Sequence, residues 1–206
     1  MNTKVTLAIP TNRGVQPGTL QCLLDLVSHG GYDFHILVAS EGYTIAENRT
    51  YIAIQALQNK SEFLLFIDDD MTFEPDLLDI LIANDKDICG TAYHSRGNVD
   101  TMPKYVENRI MSTAEVAPKK YIDLDKTDDP KYKDTFECYA AGTGIMLIKC
   151  EVFNKIPRLW FAFEFFDTGQ VKLGEDWYFC REAKKAGYKI WTDPKPKVGH
   201  LGDIIY

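Results

Sequence analysis

Three consecutive carboxylates, Asp68, Asp69 and Asp70, stand at the end of an unbroken apolar run, Phe63 to Ile67. Acids packed that closely repel one another and raise each other's pKa unless a cation or hydrogen-bond donors neutralise them. Oxygen ligands suit a hard divalent ion, Mn²⁺ or Mg²⁺. Alternation along a strand puts Asp68 and Asp70 on one side and Asp69 on the other, so that two of the three would share one ion. The ordinary alternative is that the acids cap a following helix, and Met71 to Asp76 does lead into one. A cap uses one acid, not three in a row.

A second acidic pair, Glu175-Asp176, follows Gly174 and opens a helix. The helix dipole favours acids there, so an ordinary helix start is one reading. The other is a general base, because Trp177, Phe179, Cys180 and Ala183 bury much of that helix and hold the carboxylates rigidly. His200, with glycines at 199 and 202, reads either as a metal ligand or as a structural histidine. Asn48 and Arg49 fall in the first turn of another helix, where the dipole disfavours a cation. A bound phosphate or a nearby acid would remove that conflict; an exposed arginine would bear it at small cost.

The elements around these residues alternate between strand and helix. Lys4 to Ile9 is a strand ended by Pro10, followed by the loop Pro10-Thr11-Asn12-Arg13-Gly14. Thr19 to His29 places Leu20, Leu23, Leu24 and Val27 on one helical face, and Gly30-Gly31 stops it. Phe34 to Ala39 is the next strand, then the polar loop Ser40 to Tyr43, then a helix from near Ala46 with Ile52, Ala53, Ala56 and Leu57 inward. The run at Phe63 suits a strand buried on both faces. After it come a helix over Pro75 to Ala83 and a strand over Asp87 to Tyr93. This β-α-β-α-β order predicts parallel strands with right-handed crossovers, and ligands bind beyond the carboxyl ends of such strands.

The pattern weakens between Asn98 and Glu137, a stretch that reads as a solvated insertion or a substrate-facing flap, with short strands at Pro103 to Met111 and Lys119 to Leu124. Arg96, just before it, would reach a diphosphate or sugar, or simply be solvated. Gly142-x-Gly144 precedes a buried strand, Ile145 to Ile148, and lets backbone approach a ligand closely. It lacks the Lys-Ser/Thr pair of a phosphate loop and is not read as one on its own. The aromatic cluster Trp160, Phe161, Phe163, Phe165 and Phe166 reads mostly as core, with one or two rings near the crevice forming an acceptor platform. Tyr188 to Thr192 is the last expected strand.

Bulk properties narrow the partners. The 206 residues fit one domain, and 45% hydrophobic with 26% charged residues is ordinary for a globular chain. A net charge of −7 argues against a nucleic-acid backbone as partner, though not against a nucleotide held through a metal. No apolar run approaches the roughly 20 residues of a membrane span. The five cysteines are scattered and never in zinc spacing, so buried reduced thiols and a cytoplasmic setting are expected.

Taken in order, Pro10-Thr11-x-Arg13, Asn48-Arg49, Asp68-Asp69-Asp70, Gly142-x-Gly144, Glu175-Asp176-Trp177 and a late Gly199-His200 resemble the GT-A glycosyltransferases over nearly the whole chain. More narrowly, the sequence is similar to chlorella-virus glycosyltransferase domains implicated in capsid glycosylation, which implies host-cell cytoplasm and an N-terminal part of a longer protein. The resemblance implies a Rossmann-like, mainly parallel sheet flanked by helices, with a small antiparallel element. It implies a nucleotide pocket lined by Pro10, Thr11, Arg13, Asn48 and Arg49, with Asp68, Asp69, Arg96, Gly142 and Gly144 on the donor. Asp68 would lie near the ribose and metal, Asp70 would bind Mn²⁺ or Mg²⁺, His200 would complete the metal shell, and Asp176 with Glu175 would supply the base or position the acceptor. The donor implied is a UDP-sugar and the acceptor a glycan or glycoprotein; retention or inversion is left open. A sugar-phosphate nucleotidyltransferase is the enzyme alternative, weakened because the N-terminal loop has only Gly14 and Gly18. A non-catalytic nucleotide- or sugar-binding module is the third reading.

Overall fold

The computed structural model describes residues 2–39, 44–93 and 129–201. In chain order these give β1 (Thr3–Pro10), α1 (Pro17–His29), β2 (Tyr32–Ala39), α2 (Ile45–Gln58), β3 (Phe63–Ile67), β4 (Met71–Phe73), α3 (Leu77–Ala83) and β5 (Ile88–Thr91). Then follow β6 (Phe136–Cys138), β7 (Ile145–Lys149), α4 (Val152–Lys155), β8 (Glu164–Phe165), β9 (Val171–Leu173), α5 (Glu175–Lys185), β10 (Ile190–Asp193) and β11 (Val198–His200). Seven strands form the central sheet in the order β2-β1-β3-β7-β5-β10-β6. The strands β2, β1, β3, β5 and β10 run one way, and β7 and β6 run against them. The expected mainly parallel α/β sheet is therefore present, as are small antiparallel elements, β4 with β11 and β8 with β9.

Alternation within the strands builds two cores, one on each face of the sheet. Ala8, Leu64, Phe66, Met146 and Ile148 point to the side covered by α2, α4 and α5. Val5, Leu7, Leu65, Ile67 and Leu147 point to the side covered by α1 and α3. Covering on both faces is why β3 and β7 are apolar at every central position rather than at alternate ones. Four of the five cysteines are buried in these cores and all five are free. Burial pushes the four buried thiols up, to about 12 at Cys89 and Cys150, which keeps them protonated at neutral pH.

Several local expectations shift. In α1 the inward stripe is Thr19, Leu23 and Leu26, whereas Leu20 and Leu24 are 48% and 55% exposed. The stripe follows i, i+4, i+7 from Thr19, which turns the neighbouring 20/24 row to the flank. The residues after Asp70 form β4 before α3 begins, and β4 is paired by β11, a strand absent from the sequence reading. The Ser40 to Tyr43 loop, Arg96 with its His94 to Gly97 loop, and both strands expected at 103–111 and 119–124 lie outside the described residues.

Gly144 shows how closely the sheet's edge is packed. A Cβ there would stand 2.7 Å from the ring and hydroxyl of Tyr93, whose hydroxyl accepts the Gly144 N–H at 3.1 Å. Tyr93 is itself buried, so it has little room to yield. Gly144→Ala is expected to lower stability by about 1–3 kcal/mol through overpacking, read as a lower urea midpoint. Combined with Tyr93→Leu, the loss should be smaller than the sum of the two single changes.

Candidate functional site

The carboxyl ends of the parallel strands β1 and β3 open on the same edge of the sheet. A cleft of about 240 Å³ lies there, and its walls include Arg13, Arg49, Asp68, Asp69, Asp70 and Glu175. Pro10 and Thr11 also line it, with Asn12 and Ile45, which the sequence reading did not single out. Asn12 sits inside a loop already marked by its place at the carboxyl edge; Ile45, an apolar residue at a helix start, carried no chemical signal. A larger hollow of about 520 Å³ lies at the other end of β3, around Lys60, Glu62 and Lys149, and gathers none of the predicted residues.

The three aspartates turn to three partners. The alternation expected of a strand stops at Ile67, and the chain turns back, with Met71 N–H donating to the Asp68 carbonyl at 3.4 Å. Asp68 is held by Arg49, Nη2 to Oδ1 at 2.7 Å. Asp69 accepts the Thr11 hydroxyl at 2.5 Å, and its carbonyl accepts the Gln16 N–H at 2.8 Å. Thr11 Oγ1 in turn accepts the backbone N–H groups of Arg13 and Gly14, so one hydroxyl fixes the N-terminal loop to the end of β3. Asp70, only 1% exposed, faces His200, with Nε2 3.3 Å from Oδ1. The β4–β11 pairing makes that meeting possible: His200 lies opposite Met71, and the Leu201 N–H donates to the Asp70 carbonyl at 2.7 Å. The His200 ring also stands edge-on to Tyr93.

Arg49 is the electrostatic centre. It is 2% exposed, its Nη1 donates to Glu175 Oε1 at 3.1 Å, and its guanidinium lies over the Phe66 ring. Burial works against its charge, but Asp68, Glu175 and Asp176 outweigh that and raise its pKa. The acid that would settle an arginine near a helix start is thus supplied twice, by the ends of β3 and α5. The helix start itself is secured by a capping box, Thr44 accepting the Glu47 N–H and Glu47 reaching back to the Thr44 N–H.

The remaining predicted residues sit behind the cleft or beside it. Asn48 donates to the Ala39 carbonyl at 2.6 Å, which also accepts the Thr11 N–H, so it ties α2 to the ends of β1 and β2. The buried Gly144 accepts the Asp68 N–H at 2.8 Å through its carbonyl, and Gly142 is buried nearby. Asp176 accepts the Trp177 N–H at 2.7 Å, next to Glu175 in the first turn of α5.

Among the described residues, no group of three or more His, Cys, Asp or Glu side chains is arranged to enclose a metal ion. The donor set nevertheless fits one. Asp70 and His200 offer a carboxylate oxygen and an imidazole nitrogen, and Mg²⁺-type sites draw much of their shell from substrate phosphates and water rather than from a protein cage.

No family model matches the sequence, and no curated protein matches it. Among solved structures, the chain is similar to A197 from STIV, at 19% identity over 98% of this chain and 87% of that one, with a TM-score of 0.60. It is similar to GalNAc-T7, solved with UDP, GalNAc and Mn²⁺, at 11% identity and a TM-score of 0.54, over 98% of this chain but 44% of that longer one. A third likeness, at 9% identity and a TM-score of 0.52, is to the inositol-1-phosphate CTP transferase from T. maritima, over 97% of this chain and 89% of that one.

Replacing Arg49 by methionine would leave two carboxylates facing each other across a poorly hydrated gap. Arg49→Met should lower stability by about 2–3 kcal/mol, short of the roughly 3–5 kcal/mol lost when a fully buried pair is broken, since the Asp68 side chain is 32% exposed to water. Arg49→Lys should recover only part of that in the same urea titration, because an ammonium cannot bridge both acids in a fixed plane. The fold that surrounds this cleft is GT-A.

Proposed function

We propose that this chain is a metal-dependent glycosyltransferase that moves a sugar from a nucleoside diphosphate, a UDP-sugar, to a glycan or glycoprotein acceptor. The observation that carries the reading is the meeting of Asp70, in the wall of an acidic cleft, with His200, whose Nε2 lies 3.3 Å from Oδ1. Four carboxylates and two guanidiniums line that cleft, so an anionic diphosphate enters only with a cation to offset the excess negative charge. Asp70 and His200 are the residues that would hold Mn²⁺ or Mg²⁺; when bound, such an ion acts as a Lewis acid toward the charge that builds on the leaving diphosphate.

The protein groups divide the remaining work. Arg49 is occupied by Asp68 and Glu175. Arg13 is exposed on the cleft wall and its side chain makes no ion pair among the described residues, so it is the guanidinium left for the diphosphate. Pro10, Thr11 and the end of β3 form the nucleotide side, with Asn48 and Gly144 as supports. An acceptor hydroxyl is a weak nucleophile at neutral pH. In our reading Asp176, fixed by the Trp177 N–H, takes its proton while the acceptor oxygen bonds to the anomeric carbon. The anomeric C–O bond breaks at the same time, and its electron pair leaves with the nucleoside diphosphate. Glu175, clamped by Arg49, orients the acceptor beside it.

One observation favours a second reading. The likeness to a CTP transferase covers nearly all of both chains, and a nucleotidyltransferase would use the same edge of the sheet to join a nucleoside triphosphate to a sugar phosphate with release of pyrophosphate.

Calorimetric titration with UDP tests the first reading. UDP is expected to bind wild type in the presence of Mn²⁺, and Asp70→Ala and His200→Ala should each weaken that binding by at least about tenfold. If UDP, GDP, CDP and TDP all fail to bind wild type, the glycosyltransferase reading falls. Pyrophosphate released from a nucleoside triphosphate and a sugar phosphate would instead support the second.

A further inference from the structure

Tyr93 stands two residues beyond the end of β5, just after the Ala92 N–H donates to the Asp193 carbonyl at 3.2 Å. It is absent from the cleft wall and buried in the same core as Ile67, Met71 and Ile145. Its hydroxyl accepts the Gly144 N–H at 3.1 Å, and the Gly144 carbonyl accepts the Asp68 N–H at 2.8 Å. One residue, Gly144, therefore ties the phenol to the turn that carries Asp68, Asp69 and Asp70. A Cβ at 144 would stand 2.7 Å from that phenol, so the missing side chain admits a ring of the protein itself.

The same ring meets His200. The two centroids are 5.8 Å apart and the planes cross at 88°, the edge-to-face arrangement that aromatic rings favour. This contact bears on what the β4–β11 ladder leaves soft. Pairing of His200 with Met71 fixes the backbone of the histidine, but Gly199 beside it has no side chain to brace the imidazole. Rotation of such a ring about its Cβ–Cγ bond has only broad preferences, whereas a site needs its groups aimed to within about 10–20°. With Nε2 3.3 Å from Asp70 Oδ1, a modest turn of the ring would carry the nitrogen away from the carboxylate it must act with.

Groups behind a metal's own ligands set its affinity by holding those ligands in place. Here the supporting group is a phenol whose edge-to-face contact fits the imidazole. That phenol is itself fixed, through Gly144, to the turn that bears the carboxylate. The aim of the nitrogen and the place of the carboxylate are thus referred to one frame. A leucine at 93 would fill much of the same core space and supply neither the anchor nor the ring contact.

We propose that Tyr93 is a positioning residue of the metal site: its ring, anchored through the hydroxyl on Gly144, holds the His200 imidazole in register with Asp70. This assignment rests on the metal-dependent glycosyltransferase reading. UDP is titrated calorimetrically, with Mn²⁺ present, against the full chain as wild type, Tyr93→Phe, Tyr93→Leu and His200→Ala, and against His200→Ala combined with each Tyr93 change. UDP is taken high enough to saturate the weakest of them, and metal-free thermal melts set a temperature at which the variants are folded. Tyr93→Leu should weaken binding about tenfold, the low end of what losing such a support costs. Tyr93→Phe, which keeps the ring and loses its anchor, should weaken it about threefold. In the His200→Ala background neither change should cost more than about twofold, because the residue through which Tyr93 acts is gone. A general loosening of the fold would persist there, so equal losses with and without His200 overturn the assignment. Wild-type affinity in Tyr93→Leu overturns it too, and both results leave the donor reading standing. Should Tyr93→Leu fail to fold, the loss in Tyr93→Phe and its disappearance beside His200→Ala carry the same decision. Failure of wild type to bind any nucleoside diphosphate removes the reading and the assignment together.

Discussion

A buried guanidinium, that of Arg49, is the constraint around which this molecule is arranged. A charge taken out of water must be met by opposite charge and by hydrogen bonds, or the fold pays more than burial returns. Here the meeting groups come from separate parts of the chain, Asp68 from the end of β3 and Glu175 from the start of α5. The ion pairs therefore lock one helix, one strand end and a second helix start into a single relation. They also fix what the cleft can do: the positive charge nearest its floor is already matched, so an incoming anion depends on other cations.

The second organising device is the small β4–β11 ladder. Parallel strands leave their carboxyl ends open, and β4 follows directly on the turn at the end of β3. By pairing His200 with Met71, the last described strand carries an imidazole back to a turn formed much earlier in the chain. Gly199 permits this closeness, since a Cβ there would run into the Thr72 hydroxyl. The likeness to solved structures shows the fold alone.

Much of this was legible in the residues. The unbroken run from Phe63 to Ile67 announced a strand covered on both faces, and the strand-helix order announced parallel pairing, because periodicity and burial are written locally. The Thr44-x-x-Glu47 capping box is an equally local signature of a helix start. Other features were not local. Three-residue strands such as β4 and β11 have too few positions to show alternation, and they exist because each supplies the other's hydrogen bonds. The antiparallel insertion of β7 between β3 and β5 leaves no trace in composition. Which partner each aspartate takes could not be read either, since strand alternation ends one residue before Asp68. Leu20 and Leu24 misled for a related reason: the row of leucines was real, but the helix's rotation on the sheet is set by what it packs against.

The hydroxyl of Thr11 has one further consequence. By donating to Asp69 and accepting from Arg13 and Gly14, it gives the N-terminal loop its shape before any ligand arrives. Immobilising a flexible backbone costs about 1–2 kcal/mol per residue at room temperature. For this loop that entropy is lost during folding, so a ligand entering the cleft meets a wall already in place and keeps that much more of its contact energy as affinity.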